Sequence, residues 1–114
     1  MINELKRIAA GLILVGMIGF ATSPAVAQQV SLSTTIKNKT FQPSTLKAPA
    51  NRPIVITVHN ADSAAAEFES RTMRVEKVVA AGATIIVNVK PLAPGNYRFF
   101  DDFNPSNQGT LVVE

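Results

Sequence analysis

From residue 30 onward, apolar and polar residues alternate in short runs, and turn residues cut those runs at close intervals. No window shows a sustained helical period with caps, so strands must carry the fold. Val30, Leu32, Thr34 and Ile36 alternate with polar neighbours, as in a half-buried strand, and Asn38-Lys39 marks a turn. Phe41–Leu46 reads as an irregular edge segment, because Pro43 has no N–H to give to a ladder. Lys47–Pro53 is a loop. Ile54–His59 is rich in β-branched residues and reads as a strand, with Ile54, Ile56 and Val58 on one side and Val55, Thr57 and His59 on the other. Another loop starts at Asn60–Ser63. Glu67–Ser70, Arg74–Ala80, Ala83–Val89, Asn96–Asp101 and Thr110–Glu114 complete the set of expected strands. Seven or so short strands at this spacing predict an all-β, Greek-key β-sandwich over residues 28–114.

The first residues do not fit that pattern. Lys6 and Arg7 precede an uncharged, largely apolar run from Ile8 to Ala21, which Thr22, Ser23 and Pro24 break. Ala25-Val26-Ala27 then puts small residues where a signal peptidase reads. The run is shorter than the ~20 residues a membrane span needs. The expectation is a signal peptide over residues 1–27 of bacterial layout, cleavage before Gln28, and a periplasmic or secreted product with no membrane span after cleavage. The whole chain carries 11 Lys/Arg against 8 Asp/Glu. Removal of Glu4, Lys6 and Arg7 with the leader leaves a nearly balanced domain. No basic cluster interleaved with aromatics is present, so nucleic acid is not an expected partner. The chain has no cysteine, which excludes disulfides, thiolate metal sites and thiol nucleophiles. A domain of about 90 residues must then hold together by core packing alone.

Catalysis is not expected. There is one His and no Cys, and no Ser stands in a nucleophile-elbow setting. Asp101 and Asp102 are chain neighbours rather than a spaced acid–base pair, and no Gly-rich phosphate loop occurs. The acids have another reading. Glu67 and Glu69 share a face if their stretch is extended. With Asp101 and Asp102 they make either a set of solvated loop acids, paired with Arg71, Arg74 or Arg98, or an oxygen-rich pocket suited to a hard cation such as iron(III), manganese or calcium. His59, the only histidine, is either a structural residue at a strand end or one metal ligand. Met73 is either core filler or a thioether ligand for copper(I). Phe41, Phe68, Tyr97, Phe99, Phe100 and Phe103 gather near the same loops. Phe99 and Phe100 face opposite sides of one strand, so only one of them can lie fully in the core. The other, with Phe103, becomes a candidate docking surface.

A set of spaced phrases carries a family resemblance. They are Phe41-x-Pro43, Pro53–Asn60 with Asp62, Glu67-Phe68-Glu69-Ser70, and Glu76-Lys77-Val78-Val79 with Gly82. Pro91-Leu92-x-Pro94-Gly95-x-Tyr97, Phe99-Phe100, Asn104-Pro105 and Gly109-x-Leu111-Val112-Val113-Glu114 follow. Over nearly all of Val30–Glu114 the chain resembles the cupredoxin-like domains of the EfeO type, small periplasmic modules associated with iron or copper uptake. The resemblance implies a cupredoxin-like sandwich. It also implies that a copper-binding member would have Cys at Asp101, His at Asn104, Met at Asn107 and a further His near Ala66 or Glu67. None of those ligands is present, and a blue-copper site needs a thiolate and two imidazoles. Acidic relatives of the type carry His where this chain has Asn104.

The expectation is therefore a periplasmic cupredoxin-like accessory protein of metal uptake or handling, without type-1 copper. An iron or copper ion would be held by Glu67, Glu69, Met73, Asp101, Asp102 and Asn104. Its partner would be a periplasmic or membrane protein of a metal-uptake system. The alternative is a metal-free sandwich that binds a protein through its aromatic loop end. A third reading, copper held by His59 and Met73 for redox work, requires those two side chains to be near each other.

Overall fold

The computed structural model describes residues 28–114, so the expected leader lies outside the described residues. Nine strands follow one another: β1 (Val30–Lys37), β2 (Thr40–Gln42), β3 (Thr45–Ala48), β4 (Ile54–Asn60), β5 (Ala66–Ser70), β6 (Val75–Val79), β7 (Thr84–Val89), β8 (Gly95–Asp101) and β9 (Asn104–Val113). No helix occurs among the described residues. One sheet has the order β2-β1-β4-β7 and the other β3-β9-β8-β5-β6. The pairs β1–β4 and β3–β9 are parallel and the remaining pairs antiparallel. Parallel neighbours need crossing connections, and these give the Greek-key sandwich.

Side-chain alternation sets which face of each strand is covered. In β4, Ile54, Ile56, Val58 and Asn60 are buried, while Val55, Thr57 and His59 stay half-buried on the outer face. In β5, Ala66, Phe68 and Ser70 point inward and Glu67 and Glu69 outward. Ile36, Ile54, Ile56 and Val58 from one sheet meet Phe68, Phe99 and Leu111 from the other. The rings of Phe41, Phe68 and Phe99 form a packed trio with centroids 4.9 to 6.0 Å apart. Each such ring contributes about 1.5–3 kcal/mol through burial. Of the adjacent pair, Phe99 is 0% exposed in the core. Phe100 lies on the opposite face and is still only 9% exposed, because the Arg71 guanidinium sits 5.1 Å over its ring.

Two stretches differ from the sequence expectation. Phe41–Leu46 is not one irregular edge. It is two strands in different sheets, and the chain crosses the sandwich at Pro43 and Ser44. Thr34 Oγ1 donates to the Pro43 carbonyl at 2.8 Å and fixes that crossing. The second correction concerns Asn104–Gly109, which falls between the expected strands Asn96–Asp101 and Thr110–Glu114 and is found as the first half of β9. The turn between β8 and β9 is only Asp102-Phe103. Register jumps from Phe100↔Gln108 to Asp101↔Asn104, so Pro105–Asn107 have no partners on β8. This bulge carries Asn107 inward, where its Oδ1 accepts from Phe41 N at 3.0 Å. Gly109 follows because the strand passes directly over the Phe99 ring.

Candidate functional site

One end of the sandwich gathers the β1–β2 turn, the 61–65 loop and the β8–β9 hairpin. Asn38 (φ 53°) and Lys39 (φ 59°) both adopt left-handed backbone, as a two-residue hairpin of matching twist requires. Asp62 braces that turn by accepting from Asn38 N at 2.7 Å and Lys39 N at 2.8 Å. Asn60 is buried beneath it and donates to the carbonyls of Ala64 and Val79, while its Oδ1 accepts from Asp62 N. These elements enclose a cleft of about 360 Å³, whose walls include Lys39, Asp62, Asp101, Phe103 and Asn104.

Asp101 ties the cleft to the sheet. The residue is 4% exposed, and its Oδ1 accepts from Glu67 N at 2.9 Å and Phe103 N at 3.0 Å. The β5–β8 pairing is short, Phe68↔Asp101 and Glu69↔Phe100. Asp101 extends it at the cleft end, where Asp102 N also donates to the Glu67 carbonyl. At the other end Ser70 Oγ donates to the Arg98 carbonyl at 2.6 Å and accepts from Met73 N. Side chains thus close both ends of a two-pair ladder.

The second cluster lies on the outer face of the same sheet. Glu69 stands directly opposite Glu76, and Glu67 opposite Val78. One carboxylate oxygen each from Glu67, Glu69 and Glu76 lies within 4.8 Å of the others. Ligands on opposite sides of a cation with 2.3–2.6 Å bonds are about 5 Å apart, so the three oxygens are within coordination span. The Glu67 carboxyl is held above its ordinary range, first by desolvation and then by the charges of Glu76, Asp102 and Glu69 and a hydrogen bond with Glu76.

The six candidate residues from the sequence therefore occupy separate surroundings. Glu67 and Glu69 share the outer-face cluster, and Asp102 is close enough to raise the Glu67 pKa. Asp101 and Asn104 line the cleft instead. Met73 is 8% exposed within the hydrophobic core, in the turn after β5. It lies beyond Ser70, the end of the strand remote from the cleft. His59 ends the outer face of β4 at the cleft end and bonds to Thr84 Oγ1 at 2.9 Å. Four residue steps of extended β5, about 13 Å, separate the two ends. His59 and Met73 are thus at opposite ends of the sandwich, and the shared copper site the third reading requires does not form. Glu76 was missed as a site residue. Its signal was the spacing across the Arg71–Arg74 turn, which places it opposite Glu69 in a regular hairpin.

The comparisons agree with this architecture. A family model described as "Cupredoxin-like domain" matches residues 10–113. An uncharacterized protein, RP394, of Rickettsia prowazekii (strain Madrid E) is 38% identical over 80 residues, 69% of this chain. The match spans less than two thirds of that relative's own length, 64%. Among solved structures, the metal-binding domain of the Cu(I)-exporting P-type ATPase CopA of Streptococcus pneumoniae D39 aligns with TM-score 0.65 at 14% identity. That alignment covers 79% of this chain and 99% of that one. A purple cupredoxin from Nitrosopumilus maritimus aligns with TM-score 0.57 at 16% identity, covering 73% and 99% of the respective chains.

Proposed function

This chain belongs to the cupredoxin-like domain family, and from that premise we propose that it is an exported accessory protein of metal handling that works without type-1 copper. The copper implied by the family does not fit these residues. The chain has no cysteine. The positions that the resemblance assigns to copper ligands hold Ala66 or Glu67, Asp101, Asn104 and Asn107. Asp101 spends one oxygen on two backbone N–H groups, and Asn107 spends its carbonyl oxygen on Phe41 N. That donor set is hard and partly engaged, unlike the thiolate and imidazoles of a blue site.

The observation that carries the reading is the Glu67–Glu69–Glu76 cluster. Three carboxylates this close repel one another, and the raised Glu67 pKa is a consequence of that crowding together with desolvation. A hard cation such as iron(III) or manganese(II), carried as cargo, relieves the repulsion and takes oxygen ligands in the span available. The reading takes a periplasmic location from the leader expected over residues 1–27, and a partner in a metal-uptake system from the EfeO-type resemblance.

Melting temperature followed through titration of iron(II), iron(III), manganese(II), copper(I) and copper(II) tests the reading. A cation bound only to the native state adds about 2.7 kcal/mol at a hundredfold excess over its Kd. The expected result is a shift with a hard cation that disappears in Glu76→Gln. No shift with any of the five ions, or a shift that survives both Glu76→Gln and Glu67→Gln, would sink it. A second reading, docking of a protein at the aromatic hairpin tip, is favoured by Phe103, which is 56% exposed.

A further inference from the structure

The cleft at the sandwich end contains a buried acid that its neighbours only half satisfy. Both hydrogen bonds to the Asp101 carboxylate fall on Oδ1. Its Oδ2 has no hydrogen-bond partner among the described residues. Oδ2 is also not a fully buried orphan: among the described residues, Asn107 Nδ2 is the side-chain atom both fully buried and unpartnered. Asp101 is one of the residues that line the cleft. A residue that is 4% exposed and whose carboxylate keeps one oxygen without a partner is set to accept from a cationic donor.

The other walls favour a flat, donor-rich cation. Phe103 borders the cleft with an exposed ring, and Asn104 stands beside it. Asp62 adds a second negative charge, though both its oxygens already serve Asn38 N and Lys39 N. Lys39 is the one cation among the lining residues, which leaves the wall net negative. Beyond the hairpin tip, Asp102 extends the negative potential toward the sheet face, close enough for its charge to help raise the Glu67 pKa. Guanidinium donates in a plane and stacks on aromatic faces, which suits a carboxylate beside a phenyl ring.

We propose that this cleft binds the side chain of an arginine presented by a partner polypeptide, with Asp101 Oδ2 as the anionic anchor and Phe103 as the ring that covers it. The proposal deepens the docking reading and is independent of the cation cluster. An extended strand or loop of the partner brings the arginine past Phe103, and a further basic residue lies along Asp102. Charge complementarity makes the interaction weaken as salt is raised.

The test is titration of the 15N-labelled protein with a capped Gly-Arg-Gly-Lys-Gly peptide, followed by amide shifts and by calorimetry. The matched peptide with citrulline for arginine has nearly the same shape but no charge. The expected result is that the arginine peptide shifts the amides of Ala66, Phe103 and Asn104, and that citrulline binds about tenfold more weakly or worse. Asp101→Asn keeps an oxygen for Glu67 N and Phe103 N, and is expected to lose a similar factor. Phe103→Ala, at the exposed tip, is expected to lose about two- to fivefold. Equal binding of both peptides, together with a loss in Phe103→Ala, overturns the arginine site and leaves docking at the tip intact. Absence of binding by either peptide overturns both, and shifts confined to Glu67, Glu69 and Glu76 overturn the arginine site in favour of diffuse attraction to the acidic face. If Asp101→Asn fails to fold, the citrulline comparison and Phe103→Ala still decide.

Discussion

Replacing Asp101 by Ala removes an acceptor that two backbone N–H groups share. Glu67 N and Phe103 N lie 2.9 and 3.0 Å from Oδ1. A hydrogen bond to a charged group contributes roughly 1.5–3 kcal/mol, and an amide left without a partner keeps its desolvation cost. The cleft lets water reach part of this region, so the lower end applies to each bond. The expected loss is about 3 kcal/mol, a large share of the ~5–15 kcal/mol that holds a domain of this kind together. For a domain of under about 100 residues, that lowers the melting temperature by roughly 12–24 °C. Urea unfolding with an unchanged m-value would confirm that stability, rather than compactness, has altered. Asp101→Asn retains one oxygen at the same place and is expected to lose only about 1 kcal/mol. Hydrogen exchange at the Glu67 and Phe103 amides should speed up in the Ala variant alone. The reasoning fails if Asp101→Ala stays within about 0.5 kcal/mol of the parent protein, the range of an ordinary surface change.

The remaining expectations concern single sites. Gly109→Ala drives a methyl group into Cε1 and Cζ at the edge of the Phe99 ring and to 2.7 Å from the Ser44 carbonyl oxygen. It should cost about 1–3 kcal/mol or more by overpacking, measured by chemical denaturation. Ser70→Ala leaves the Arg98 carbonyl and Met73 N without their shared hydroxyl, and a loss of about 1–2 kcal/mol is expected from the same assay. Glu67 has a folded pKa raised above its unfolded value. Its contribution to stability is therefore fully present below the unfolded pKa and is lost as pH rises through the folded one. Glu67→Gln should accordingly raise the melting temperature at about pH 7, with the gain fading toward about pH 4, where the acid is protonated in both states. A gain that persists unchanged at low pH would contradict electrostatic crowding as its cause.

Much of the fold was legible because a strand with one buried face writes a period of two into its sequence. Ile54–His59 shows this plainly, and so does Glu67–Ser70, whose parity put both glutamates on one side. Asn38-Lys39 was legible as a turn because Asn tolerates left-handed backbone, whereas the positive φ of Lys39 was not legible from its residue type. Asn104–Gly109 was not legible as strand. Pro105 lacks an N–H, and the bulge spends its residues on reaching Phe41 rather than on alternation. The site was harder to read for the same kind of reason. Sequence spacing gave the Glu67–Glu69 pairing, but Glu76 joins them only through hairpin register. Parity alone separates Asp101, facing inward beside Phe99 on β8, from Asp102, its neighbour at the turn.

The sequence by itself determined an all-β chain without cysteine, and with that the exclusion of a thiolate–copper centre. Those follow from residue types and from local period, which need no knowledge of what lies across the fold. Only the tertiary structure decided which acids meet. Glu67, Glu69 and Glu76 converge through cross-strand pairing, while Asp101 turns away to close the β5–β8 ladder and face the cleft. Contact between residues 34 positions apart depends on sheet order and strand register. Those are fixed by how the whole core packs, not by the residues that happen to be adjacent in the chain.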